Sequence, residues 1–216
     1  MEKHKGCAVA LPVVLWMGFV MPANAALVIS EIFYDASGPD AGNVFVELFG
    51  SPGESLDGLV LEGVNGSNGS VYQSINLAGL VPSDGVFVIG DDNGGTTSVA
   101  NADFIAAADF QNGPDSVVLR NGDTVLDAVG YGIFSATDFF AGEGASAPDP
   151  AAGFSIARLA LALDSNDNSV DFSVFEFPTP GIVASVAAVP TPPALLLFSS
   201  GLIGLARLAR GTRKSS

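Results

Sequence analysis

Between residues 26 and 181 apolar residues come in short runs, several alternating with polar ones, interrupted by Gly, Asn, Asp and Pro at intervals of roughly 10 to 15 residues. The runs are Leu27 to Phe33, Val44 to Phe49, Gly58 to Leu61, Val71 to Leu77, Val86 to Ile89, Phe104 to Ala107, Ser116 to Arg120 and Thr124 to Val129. Successive side chains of a strand point to opposite faces, so runs of this length and spacing predict an antiparallel sandwich or barrel. No stretch holds a 3.6-residue period, which removes a helical bundle. Ala157 to Leu163 fits a helical turn and a strand equally. Turn chemistry agrees with the strands. Asn121-Gly122-Asp123 between two apolar runs predicts a hairpin, and Ser37 to Asp40, Asn65-Gly66 and Asp92 to Gly95 predict looser turns.

The two ends break this pattern. Residues 1–25 have a basic head with Lys3 and Lys5, an apolar stretch from Gly6 to Val20, and Ala23-x-Ala25, which matches a signal-peptidase site. An apolar run of about 15 residues is short of the ~20 that a bilayer span needs, so a removed secretory leader is expected. Cys7 would leave with it, and no disulfide would support the mature chain. At the other end, residues 182–193 form a Pro/Ala linker containing Val189-Pro190-Thr191-Pro192, residues 194–206 are apolar, and residues 207–216 carry Arg207, Arg210, Arg213 and Lys214. As a helix the apolar segment would be ~20 Å long, a short membrane span whose basic flank stays cytoplasmic. The body of the chain would then lie outside the membrane.

Charge narrows the chemistry. Residues 26–190 hold 22 acidic residues, all of the chain's 23 except Glu2, against Arg120 and Arg158 alone, a net charge near −20. They contain no Lys, His or Cys. Ser-His-Asp, Cys-His and Ser-Lys catalysis lack their base or thiol, because His4, Cys7 and the lysines all lie in the terminal segments. Zinc sites of the Cys/His kind and a P-loop are excluded on the same ground. A polyanion would be repelled, so no nucleic acid is expected as partner. No catalytic residue is assigned: carboxylate-pair glycoside hydrolysis survives the inventory, but no spacing singles out a pair.

Oxygen-ligated calcium is the other chemistry left open. Two clusters offer ligands, Asp91-Asp92-Asn93 before a Gly pair, and Asp164, Asn166, Asp167 and Asn168 with Asp171. The second has Ser169 and Phe175 where an EF-hand loop needs Gly and Glu. Both fit solvated acidic turns equally, since turns use the same residues. In simple alternation Glu31 shares a face with Ile29 and Phe33, and Glu47 with Phe45 and Phe49. Carboxylates so placed need partners, for which backbone amides or Arg158 are the candidates, and a structural role is expected.

Two resemblances add to this reading. The ordered series Val28 to Ile32 with Tyr34-Asp35, Phe45-Val-Glu-Leu48, Leu56 to Leu59, Leu80 to Ile89, Asp115 to Leu119 and Asp127 to Tyr131 resembles the lamin tail domain. Gly142-Glu-Gly144, Ser155 to Arg158, Asp164 to Asn168, Asp171-Phe172 and Thr179-Pro-Gly181 resemble the extension found in its secreted bacterial members. That likeness implies an all-β, immunoglobulin-like sandwich over residues 26–133, with residues 134–181 extending the same domain. Phe49-Gly50 stands where the family often has Asn. The tail, with Leu197 to Leu205 after Val189-Pro190-Thr191-Pro192 and before the basic end, resembles the PEP-CTERM sorting signal of Gram-negative bacteria, with Thr191 in place of the usual glutamate. It implies cleavage near Val189 to Pro192 by an exosortase, a membrane cysteine transpeptidase. The expected protein is a non-enzymatic, exported surface or matrix protein, handled by signal peptidase and exosortase, held by the membrane before processing, and serving adhesion or display. A calcium-dependent module binding extracellular polysaccharide is the alternative.

Overall fold

The computed structural model describes residues 26–161 and 163–182. The leader with Ala23 and Ala25, the sorting residues Val189 to Pro192 and the apolar segment 194–206 lie outside the described residues. Within them no helix is long and apolar enough to cross a membrane. Among the described residues ten strands form, β1 Val28–Phe33, β2 Phe45–Phe49, β3 Leu59–Asn65, β4 Val71–Asn76, β5 Val86–Asp91, β6 Phe104–Ala106, β7 Asp115–Asn121, β8 Thr124–Tyr131, β9 Ser155–Arg158 and β10 Phe172–Phe175, with one short helix, α1 Asn168–Asp171. They make a six-stranded sheet ordered β10-β9-β1-β2-β5-β6 and a four-stranded sheet ordered β4-β3-β7-β8.

The core lies between the two sheets. Ile29, Ile32, Val46, Leu48, Phe87 and Ile89 of the larger sheet share one buried cluster with Leu59, Leu61, Ile75, Val117, Leu119 and Val129 of the smaller. Tyr34 and Tyr131 stack at 4.4 Å between ring centroids inside it. The outer faces are covered too. Phe45, Val86 and Val88 form a second cluster with Phe33, Phe49, Val99 and Ala102, the last two from the β5–β6 connection. That cover is why β1, β2 and β5 are buried along nearly their whole length instead of alternating.

Most strands stand where the hydrophobic pattern puts them, and the hairpin at Asn121-Gly122-Asp123 joins β7 to β8 with Asn121 facing Thr124. Gly122 sits at φ +56°, the left-handed region that the turn requires. Four details depart from the sequence reading. The segment Ala157 to Leu163 divides, with Ala157 and Arg158 ending strand β9 on the open edge of β1 and the chain bending from Leu159 onward. The strand β10 was not among the expected runs; it pairs antiparallel with β9. The β5–β6 pairing is parallel, reached through a covering loop, where an antiparallel sandwich was expected.

The fourth departure matters most for the site. In β1 the register shifts between Ile29 and Glu31, so that Ile29 faces Leu48 while Glu31 faces Glu47. An extra residue at Ser30 reverses the alternation beyond it. Ile29 and Ile32 therefore both enter the central core, and Glu31 moves to the outer face with Phe33 and Glu47, away from Ile29.

Close backbone approach explains the Gly142-Glu-Gly144 motif. A Cβ at Gly142 would collide with the Gly130 backbone nitrogen and stand 2.6 Å from Asn168 Oδ1. Gly142→Ala is expected to cost about 1–3 kcal/mol through overpacking. Gly38→Ala, which meets nothing within 4 Å, should change stability by less than about 0.5 kcal/mol. Equilibrium urea unfolding of the two variants checks the contrast, and equal midpoints would refute it.

Candidate functional site

The sequence marks Arg158 as one of two cations in the body, and the fold buries its side chain completely. It projects from β9 beside β1 and reaches across to β8 of the other sheet. Its Nη2 donates to both carboxylate oxygens of Asp127 at 2.9 Å, its Nε to the Ile29 carbonyl at 2.8 Å, and its Nη1 to Asp171 Oδ2 at 3.0 Å and the Leu163 carbonyl at 3.2 Å. Asp164 Oδ1 lies 3.5 Å from Nη1. The guanidinium also lies 4.7 Å from the centre of the Phe172 ring. A planar cation with five donors suits such a convergence, where a lysine ammonium would not.

Asp127 completes the junction. Its Oδ2 accepts the Ile29 amide at 2.6 Å and its Oδ1 the Ala128 amide at 2.9 Å, so both oxygens are already taken. Burial pushes this carboxyl upward, against the pull of Arg158 and the Ile29 amide. Asp127, Glu143 and Asp164 each offer an oxygen, all within 4.8 Å of one another, which is the spacing of a cation site. In the folded chain the cation at this place is the guanidinium. Glu143 Oε2 is buried with no hydrogen-bond partner among the described residues. Burial, then the neighbouring Asp127 and Asp164, push the Glu143 carboxyl up to about 7.

The residues considered for calcium are employed within the fold. Asp91 is buried at the end of β5 and accepts the Gly42 amide at 2.7 Å, whereas Asp92 accepts the Gly95 amide at 2.5 Å. Asn93 closes the turn through its backbone, with its nitrogen bonded to the Thr96 carbonyl at 2.7 Å. In the second cluster Asp164 accepts the Asn166 amide at 3.1 Å, and Asn166 takes a positive φ of 56°. Asp167 caps α1, accepting the Ser169 amide and hydroxyl, which draws its carboxyl below the usual range. Asn168 is fully buried, receiving the Gly130 and Glu143 amides at 2.9 Å each and donating to the Ala128 carbonyl at 3.0 Å. Asp171 accepts Arg158 together with the Ser165 amide and hydroxyl. The two clusters thus serve as turns, a helix cap and the arginine socket.

Of the two kinds of partner expected for Glu31 and Glu47, backbone amides and Arg158, the structure supplies amides and corrects the choice of the arginine. The guanidinium turns instead to Asp127 and Asp171, while the bulge sends Glu31 to the outer face, where simple alternation already places Glu47 with Phe45 and Phe49. Glu31 accepts Ser155 Oγ at 2.5 Å, the Thr179 amide at 3.0 Å and Thr179 Oγ1 at 2.7 Å. Glu47 accepts Ser30 Oγ at 2.7 Å and the Gly181 amide at 2.8 Å. Sequence reasoning passed over Asp127 and Glu143 as site residues. The available signal was an acid at position 127 within the apolar run of β8.

Comparison of the chain with protein-family models, with curated proteins and with solved structures finds no match in any of the three.

Two outcomes are expected of the junction. Arg158→Ala leaves Asp127 and Asp171 buried without their cation and should cost about 3–5 kcal/mol, whereas Arg158→Met combined with Asp127→Leu should recover much of that loss; thermal unfolding of both variants decides it. In the folded chain Glu143 takes up its proton near pH 7, well above its ordinary 4.5. Its burial therefore makes stability fall as pH rises from about 4.5 to about 7, because only the folded state is protonated in that window. Glu143→Gln should flatten this part of the pH–stability curve, and an unchanged slope would count against the assignment.

Proposed function

We propose that this chain is an exported, non-enzymatic cell-surface or extracellular-matrix protein of a Gram-negative bacterium, built on a lamin-tail sandwich and released or displayed through an exosortase. The observation that carries the reading is the order of the tail, Val189-Pro190-Thr191-Pro192, then Leu197 to Leu205 matching the sorting pattern residue for residue, then a basic end, in a chain that begins with a leader closing on Ala23-x-Ala25. Two sheets packed about one apolar core suit the immunoglobulin-like architecture that the motif series implies.

The chemistry of the body supports a binding or display role. Many of its carboxylates are held by amides, hydroxyls and the two arginines Arg120 and Arg158, and its acidic excess keeps copies of the chain apart in solution. Signal peptidase, then the membrane through residues 194–206, then the exosortase are the partners along the route. A calcium-dependent polysaccharide module has weaker support, because the loop carboxylates it needs are engaged in caps, turns and the arginine socket.

The intact mass of protein recovered from the cell surface and the medium tests the reading. A species running from Ala26 to the neighbourhood of Val189 is the expected result. A released form that still ends at Ser216 would overturn the sorting step, and one retaining Met1 would overturn the leader.

A further inference from the structure

Glu31 and Glu47 stand directly opposite each other on β1 and β2, each only 2% exposed. Like charges in such a cross-strand pair repel, the more so away from water. Among the described residues no guanidinium pairs with them, because Arg158 is committed to Asp127 and Asp171. What meets them is the chain's own segment Thr179-Pro180-Gly181, beyond the last strand. Thr179 donates its amide and hydroxyl to Glu31, Gly181 donates its amide to Glu47, and Asn101 Nδ2 holds the Pro180 carbonyl at 2.9 Å. Gly181 sits at φ +71°, and a Cβ there would stand 2.6 Å from the Asn101 Cβ. The strap is thus held by side chains, and two of those are neighbouring carboxylates.

We propose that the glutamate pair is a proton-sensitive latch, which docks the Thr179–Gly181 strap while Glu47 carries a proton and loosens it once that proton is lost. With the strap in place water is excluded and the second negative charge is costly; with the strap away, water solvates both carboxylates. Proton binding and strap docking are therefore linked, and each favours the other. Burial pushes the Glu47 carboxyl up to about 7; the Ser30 hydroxyl and Gly181 amide oppose the shift, while Glu31 and Asp84 add to it. Those two acids, with Arg158 bordering the same depression, are the charged groups that face Glu47. Raising the pH through about 7 should open the strap.

Opening lengthens the chain's reach. Residues 176–181 separate the end of β10 from Ile182, and at ~3.3–3.6 Å per extended residue they span at most about 20 Å once released. If the tail is processed as proposed above, that length lies between the folded body and the Val189–Pro192 motif; this consequence rests on the sorting reading, while the latch does not.

Hydrogen exchange on the full chain tests the latch separately from any processing. Protection factors for the Thr179 and Gly181 amides, taken against an unstructured reference at each pH, should fall about tenfold between pH 6 and pH 8, while those of Val46 and Ile89 in the ladder hold steady. Glu47→Gln, which still accepts a hydrogen bond but cannot ionise, should keep the strap protected and abolish the pH dependence. If that variant fails to fold, Gly181→Ala strains the strap and leaves both carboxylates in place. It should lower Thr179 protection throughout and move the carbon-13 titration midpoint of Glu47 downward. Strap protection independent of pH in the unaltered chain, the same dependence in Glu47→Gln, or a Glu47 midpoint unmoved in Gly181→Ala would each overturn the proposal.

Discussion

The structure turns on one buried cation. Arg158 sits where the larger sheet, the smaller sheet and the loop after β9 meet, and its donors reach all three through Ile29, Asp127 and the Leu163–Asp171 segment. A guanidinium in a dry interior is tolerable only when its charge and its five N–H groups are matched, and that demand selects the conformation of everything around it. The loop from Asp164 to Asp171 is bent toward it, with Asp167 capping the short helix that brings Asp171 into place. The acidic loop that offers calcium ligands in sequence is, in the folded chain, the lining of this socket.

A single extra residue in β1 has effects of comparable reach. The bulge at Ser30 lets Ile29 and Ile32 both pack inward, which leaves the outer face to Glu31 and Phe33. Glu31 thereby comes opposite Glu47 instead of beside the core, and the need to satisfy two buried carboxylates draws in Ser30, Ser155, Thr179 and Gly181. The C-terminal exit of the domain is consequently positioned by an irregularity near its N-terminal edge, far away in sequence.

Burial on both faces of the larger sheet follows from how the chain is threaded. The β5–β6 connection lays Val99 and Ala102 over Phe45, Val86 and Val88, and the strap covers the glutamates on the same outer side. A net charge near −20 is spread mostly over the turns, where each carboxylate can accept nearby amides. The body combines an acidic surface with a few acids inside, most of them held by donors specific to their place.

The hydrophobic pattern by itself determined that the body is all-β, where most of its strands begin and end, and that the Asn121-Gly122-Asp123 turn is a hairpin, because alternation and turn residues act over neighbours in the chain. Composition also determined that residues 26–190 lack Lys, His and Cys, since inventory needs no geometry. Only the tertiary structure decided the face of Glu31, the partner of Arg158, the strand nature of Ser155–Arg158 and the part played by Asp127. Those depend on contacts between residues separated by 31 positions for Asp127 and Arg158 and by 148 for Glu31 and Thr179. A bulge leaves no mark in an alternating run, and a guanidinium chooses among carboxylates by distance in space, which the order of residues does not record.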